Sequence, residues 1–364
     1  MRELILHIGT QKTGTTSIQR FLGLNQELLK EQKFLMPKSL DIGNTHHRWI
    51  TSIAVNAEKK DGLLINFGYA SKQEQLQVIK TKLKNFKEEC DKSELNSKWI
   101  ITSEHLQSEL QTKEAIFKLK YILKEFFSKV KIILYIRDPL ATTISLWSTQ
   151  IKYGSKLRSL PLPSHPSYEQ VCNHKKTIQN WESVFSRDDI TVVKFQKRDF
   201  INNDLIQDFC YRCGITYSEK FKLPKIANTS LSLLGMKSLG YINKYIPHFT
   251  KTDNKESSLK FNKSRANISQ YVANFTSKYP KYIPTKEELL TYREYYKESD
   301  EWVIENFFQG NKTLWSETFK ELSTDNEGIL KLTKSEQMIL NLVIKLWNER
   351  SENNFRFRNR DISL

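Results

Sequence analysis

The chain has no long apolar run, few cysteines and no surplus of glycine or proline, and each shortage removes a class of protein. No stretch approaches the about 18–20 apolar residues that a membrane-spanning helix needs, so no transmembrane segment is expected. The start, Met1-Arg2-Glu3 and then Leu4-Ile5-Leu6-His7-Ile8-Gly9, is too short and too acidic for a signal peptide and reads as a buried strand. The expectation is therefore a soluble, cytoplasmic protein. Four cysteines in 364 residues do not make a disulfide scaffold. Cys210 and Cys213 form a lone C-x-x-C with no second Cys or His pair at zinc-finger spacing. Their segment carries an apolar stripe of Leu205, Ile206, Phe209, Cys210 and Cys213, which suits ordinary helix packing. Twelve glycines and nine prolines beside 38% hydrophobic and 27% charged residues exclude collagen-like and wholly disordered chains.

Acid is also in short supply. Against 57 Lys and Arg stand 41 Asp and Glu, giving a net charge of +16 and a pI of about 9.4. That balance fits an anionic partner: nucleic acid, a membrane surface, an anionic glycan or a multiply charged nucleotide. The basic residues are spread along the chain with Glu between them, as on solvated helices. The compact cluster Phe355-Arg356-Phe357-Arg358-Asn359-Arg360 reads as a frayed basic terminus. No helix-turn-helix, zinc or recognition-sheet signature accompanies it, so no nucleic-acid partner is expected. A basic nucleic-acid-binding protein is the non-enzymatic alternative.

Over the first half, apolar runs alternate with amphipathic segments, the pattern of an α/β fold with a central parallel sheet flanked by helices. Strands are expected at 4–8, 99–102, 130–136 and 190–195, and helices at 17–33, 76–90, 112–128 and 168–185. Another helix should open at Pro139, with Asp138 as its cap. Past Pro224, helices are expected at 231–245, 286–308 and 334–348, with the Lys- and Ser-rich stretch 250–264 as a mobile loop. In the last helix, Ile339, Leu342, Val343, Leu346 and Trp347 should form the packing face. Residues 1–225 are read as the α/β core and 226–364 as a helical C-terminal extension packed on it.

The first strand runs into Gly9-Thr10-Gln11-Lys12-Thr13-Gly14-Thr15-Thr16-Ser17 and then a helix. Strand, glycine-containing turn and helix N-terminus make an anion cradle, because successive backbone N–H groups converge and the helix dipole adds positive potential. The nucleoside-triphosphatase form of this loop is G-x-x-x-x-G-K-[ST]. Gly9 and Gly14 keep its spacing, but Thr15 stands where the lysine belongs and Lys12 lies inside the loop. An ATP-using P-loop kinase would also need an Asp-ended strand for Mg²⁺ and is the second alternative.

The Lys12-Thr13-Gly14-Thr15-Thr16-Ser17 segment resembles the 5′-phosphosulfate loop of sulfotransferases that use 3′-phosphoadenosine 5′-phosphosulfate (PAPS). A second segment, Ile132-Ile133-Leu134-Tyr135-Ile136-Arg137-Asp138-Pro139 with Ser145 eight residues after Arg137, is similar to the family's 3′-phosphate site. A guanidinium at a strand end offers a bidentate grip on phosphate. The likeness covers about residues 1–230, is vaguer across Asn228-Thr229-Ser230-Leu231, and is nearest to bacterial members and relatives that sulfate carbohydrates. It implies a PAPS-dependent sulfotransferase on the P-loop-type fold, releasing PAP and needing no metal. The sequence itself offers no ligand cluster that demands one. Lys12 is then the cation that stabilises the leaving phosphate, and Thr13, Gly14, Thr15, Thr16 and Ser17 hold the 5′ end. Arg137 and Ser145 hold the 3′-phosphate.

For the general base, Glu104, just past the strand 99–102, is preferred, and neighbouring His105 is the rival. Successive residues at a strand end point to opposite sides, so at most one of the two should face the acceptor. Partial burial should raise the basicity of a Glu there. His46, His47, Arg48 and Trp49 form a polar and aromatic knot suited to the acceptor, with Arg48 for an anionic group and Trp49 for a sugar face. The expected partner is a carbohydrate, as an anionic glycan or glycolipid. His7 is read as a buried, hydrogen-bonded residue behind the loop rather than a catalyst.

Overall fold

The computed structural model describes residues 2–55, 61–69, 71–225, 230–247, 249–251, 259–261, 263–315, 319, 321–324 and 330–360. Five strands, β1 (Glu3–Gly9), β2 (Phe34–Leu35), β3 (Lys98–Thr102), β4 (Lys129–Ile136) and β5 (Ile190–Lys194), form one sheet in the order β2-β3-β1-β4-β5. Every neighbouring pair is parallel. β1 lies between β3 and β4, with His7 opposite both Thr102 and Ile133. The apolar runs arise because this sheet is covered on both faces. Leu4, Leu6 and Ile8 pack on one side with Trp99, Ile101 and Ile132, while Ile5 packs on the other with Ile18, Phe21 and Ile133.

The helices follow the expected periodicity, with breaks where a side chain captures the backbone. The segment after the loop is two helices, Thr15–Leu24 and Gln26–Glu31, parted at buried Asn25. Its Nδ2 donates to Phe21 O at 2.8 Å and Lys222 O at 2.9 Å, while its Oδ1 accepts from Lys222 N at 2.8 Å. Expected helix 168–185 is likewise two, Pro166–Cys172 and His174–Glu182, the second capped by Asn173. Asp138 caps Pro139–Lys152 as expected, its Oδ1 accepting from Ala141 N at 3.1 Å. Cys210 and Cys213 are free and buried beside Ile206 and Phe209, and burial pushes the Cys210 thiol up to about 12.

The chain folds as two compact units. One comprises Met1–Thr143, Pro163–Asn228 and Tyr292–Thr318; the other comprises Ile144–Leu162, Thr229–Thr291 and Phe319–Leu364. The first holds the sheet. In the second, Arg265 is fully buried and donates to Ile246 O at 3.2 Å, to Ser269 Oγ at 2.8 Å and to Asn243 Oδ1. Where a mobile loop was expected at 250–264, the described residues include a short antiparallel pair, Phe249–Lys251 with Leu259–Phe261, and the start of helix Lys263–Phe275. The final helix runs Lys334–Arg360, so its backbone extends through the basic tail. Its packing face also differs from expectation. Ile344, Leu340 and Trp347 meet Ile242 and Ile246, while Ile339, Leu342, Val343 and Leu346 are exposed. No helix among the described residues is long and apolar enough to cross a membrane.

Candidate active site

Three neighbouring strands deliver the sequence candidates to the sheet's carboxyl edge, where ligands of such folds bind. The Gly9–Ser17 loop follows β1, Glu104 and His105 follow β3, and Arg137 follows β4. The loop is fixed from inside. Thr10 N donates to Tyr135 O at 2.7 Å and Thr13 Oγ1 to Thr10 O at 2.6 Å. The Thr13 hydroxyl is therefore turned inward and buried, which leaves its amide rather than its side chain for a ligand. Gly14 closes the turn with φ of 75° and provides no side-chain cap to helix Thr15–Leu24. Ser17 N and Ile18 N both donate to Gly14 O, at 2.9 and 3.1 Å, so of the first turn only the Thr15 and Thr16 amides precede the helix's own bonding. A β-carbon at Gly14 would lie 2.4 Å from Leu205 Cδ2 and 3.1 Å from Phe195 Cε2, so any other residue would have to displace those side chains as well as adopt a positive φ.

Arg137 reaches from β4 to the loop, where its Nη1 donates to Lys12 O at 2.9 Å. The guanidinium stands over the Phe195 ring at 5.8 Å, and His174 Nε2 lies 2.8 Å from the Arg137 carbonyl. Asp138 beside it is engaged elsewhere, with Arg293 Nη2 2.5 Å from its Oδ2. Ser145 falls on the second turn of Pro139–Lys152, within the second unit.

Glu104 sits against the root of the loop: a β-carbon on Gly9 would be 3.0 Å from the Glu104 Cα. Glu104 occupies the N-cap position of the short helix His105–Glu109 without capping it through its side chain. Gln19 Nε2 donates to Glu104 Oε2 at 3.0 Å, and His46 Nε2 stands 3.5 Å from the same oxygen and 3.2 Å from Ser103 Oγ. Both partners hold one carboxylate oxygen and so fix the plane of the group. His105 stacks on His46 with ring centres 5.5 Å apart and planes 18° apart. The alternation expected to separate Glu104 from His105 stops with β3 at Thr102. Beyond it the backbone is helical, and His46, Glu104 and His105 bring their ligand atoms within 4.8 Å of one another.

Burial alone would raise the Glu104 pKa, but the neighbouring histidines, its own backbone amide and Gln19 outweigh it, and the carboxyl titrates below its ordinary value. The expected gain in basicity is thus corrected, since hydrogen bonds to the charged form oppose desolvation. Burial pushes His105 down to about 4 and lowers His46 as well. At neutral pH the cluster is one carboxylate between two neutral imidazoles.

The knot at 46–49 divides. Gly43, Asn44 and Thr45 all have positive φ, and Asp41 accepts from Gly43 N at 2.8 Å and Thr45 N at 3.3 Å, which swings His46 toward Glu104. His47 is buried and bound twice to Thr102, its Nδ1 accepting from Thr102 N and its N donating to Thr102 O, each at 3.0 Å. Arg48 pairs with Asp61 at 3.0 Å inside the protein, and Trp49 is buried against Phe67. Those three are structural, a correction to the expected acceptor contacts of Arg48 and Trp49, and His46 alone of the four is partly open. His7 is fully buried, with Nδ1 2.8 Å from Thr102 Oγ1. Sequence reasoning missed Gln19, whose signal was its place one turn past Thr15 on the helix that begins at the loop.

A parallel five-stranded sheet covered by helices, with a strand–loop–helix turn after β1 and Glu104 beside it, defines the chain as an α/β protein whose candidate site lies at the sheet's carboxyl edge. The sulfotransferase domain family matches residues 2–197, more than half of the chain, and the chain belongs to that family. It is a sulfotransferase. Similar solved structures include a sulfotransferase from Alicyclobacillus acidocaldarius, 13% identical, covering 66% of this chain and 91% of that one, with a TM-score of 0.36. Another is the sulfotransferase domain from the curacin biosynthetic pathway, 10% identical over 82% of this chain and 98% of that one, with a TM-score of 0.33. No protein with a curated description matches the chain.

Proposed function

We propose that the chain transfers a sulfuryl group from PAPS to a hydroxyl of a carbohydrate acceptor, a polysaccharide or glycolipid, and releases PAP. The observation that carries the reading is the place of Glu104: its Cα lies close beside Gly9 at the root of the loop, and its carboxylate accepts from Gln19 on the helix that the loop opens. The loop amides and Lys12 hold the 5′ end, and Arg137, tied to the loop through Lys12 O, grips the 3′-phosphate. PAPS supplies the sulfuryl group. Glu104 takes the acceptor proton as the acceptor oxygen bonds to sulfur and the sulfur–phosphate oxygen bond breaks. The electron pair of that bond goes to the PAP 5′-phosphate, where Lys12 meets the charge. Gln19 and His46 hold Glu104 Oε2, leaving Oε1 for the acceptor. The charge of +16 favours an acceptor that is itself anionic. Kinase chemistry has less support, because Asp138 is committed to a helix cap and to Arg293 rather than to a metal.

Calorimetric titration with PAP, ADP and ATP with Mg²⁺ tests the donor. PAP should bind tightly without metal and be preferred over ADP. Arg137→Ala should erase most of that preference, and Glu104→Gln should leave PAP affinity intact while cutting turnover by about 10²–10⁴-fold. A preference for ATP with Mg²⁺ would sink the reading.

A further inference from the structure

We propose that His46, Glu104 and His105 form a binding site for a divalent transition-metal ion of the zinc type, whose occupancy inhibits transfer. The inhibitory half rests on the assignment of Glu104 as base; the metal site itself does not. Two imidazoles and a carboxylate are the donor set of many three-ligand zinc sites, and the nitrogens favour such an ion over magnesium or calcium. A tetrahedral zinc ion with bonds of about 2.0–2.2 Å sets its ligands about 3.3–3.5 Å apart. His46 Nε2 and Glu104 Oε2 already stand 3.5 Å apart. No separation in the trio exceeds 4.8 Å, so the remaining closure is at most about 1.4 Å, a small side-chain rotation.

The surroundings permit that rotation. His105 Nδ1 makes no hydrogen bond among the described residues, so its ring can turn without losing one there. The His46 and Glu104 side chains are 16% and 19% exposed, which leaves a way in for an ion and for a water as fourth ligand. Gln19, donating to Glu104 Oε2, is the kind of outer partner that holds a ligating carboxylate in place. The local field also suits a cation. Asp41 acts on His46 and Glu109 on His105, and the opposing Arg48 is paired with Asp61. An ion held by Glu104 removes its lone pairs from the acceptor hydroxyl, and the donor loop is untouched.

Equilibrium dialysis of the full chain against zinc chloride, with cobalt(II) absorption as a second readout, tests the site. The wild-type protein should take up one ion per chain and give a tetrahedral cobalt spectrum. His46→Ala and His105→Ala should each weaken uptake by at least about 10–100-fold, since losing an inner ligand costs at least as much as losing an outer partner. Retained PAP affinity shows that each variant is folded. No uptake by the wild type, or equal uptake by folded variants, overturns the site. In transfer assays zinc should inhibit and a chelator should restore the rate. Uptake without inhibition overturns the inhibitory half, whereas a chain that binds zinc but transfers nothing fails the functional reading and not the site.

Discussion

Lys12 is held in the left-handed region, with φ of 65°. A side chain there costs about 1–2 kcal/mol, an expense that a purely structural position would shed by using glycine. Lys12→Gly separates the two roles. Relief of that strain and the looser unfolded chain roughly offset each other, so the melting temperature should hold. Transfer should fall by about 10²–10³-fold if the ammonium meets charge on the leaving phosphate. Near-normal turnover in the folded variant would remove Lys12 from the mechanism. That Lys12, Glu104 and Arg137 lie beyond the ends of neighbouring strands was legible in the sequence, because each follows an apolar run within a local pattern. Gln19 and the true place of His46 were not. The Gln19–Glu104 bond spans 85 positions, and the turn that carries His46 depends on backbone angles and on Asp41. Arg48 and Trp49 misled for a related reason, since exposure is set by what packs around a residue and not by its type.

Among the elements, the junction of loop and helix is the most constrained. Gly14→Ala must both adopt a positive φ and push against Leu205 and Phe195. The expected cost is about 1–3 kcal/mol, with a marked loss of PAP affinity as the loop shifts. Combining it with Leu205→Ala removes the closer of the two contacts but neither the tight Phe195 contact nor the φ penalty, so only part of the PAP affinity should return. Urea unfolding together with PAP titration reads both, and full recovery in the double variant would show that φ is unimportant there. Periodicity located β1, β3, β4 and β5 to within about a residue or two, because strands buried on both faces read as unbroken apolar runs. It overlooked β2, a two-residue edge strand, and it ran helices through Asn25 and Asn173, where side chains take over the backbone bonds. In the last helix, apolar residues lie on two faces, so of the stripe chosen from spacing Trp347 packs while Ile339, Leu342, Val343 and Leu346 are exposed.

For the molecule as a whole, buried histidines tie stability to pH. Burial pushes His7 and His174 down to about 4 and His47 to about 3, against 6.5 for an ordinary histidine. Each folded pKa is below its unfolded value, so between 6.5 and the folded value the unfolded chain binds the proton and the folded chain does not. The associated stability is complete above pH 6.5 and is lost as pH falls toward 4. At pH 5 the loss is about 2 kcal/mol for each histidine, from 1.36 kcal/mol per pKa unit, or about 6 kcal/mol for the three. Asp300 works the other way: burial raises its carboxyl from 3.8 to about 7, so the folded chain gains about 2 kcal/mol between pH 7 and pH 5. The histidines win. The melting temperature should drop by several degrees between pH 7 and pH 5, and His174→Gln should flatten part of that slope even if it lowers stability at pH 7. Asp300→Asn should steepen the slope, because the opposing contribution is gone. A melting temperature that is level from pH 7 to pH 5 in the wild-type protein would show that these imidazoles are hydrated or protonated in the fold. That result would contradict the closed packing of His7 between Tyr135 and Phe209 and of His174 against Trp315.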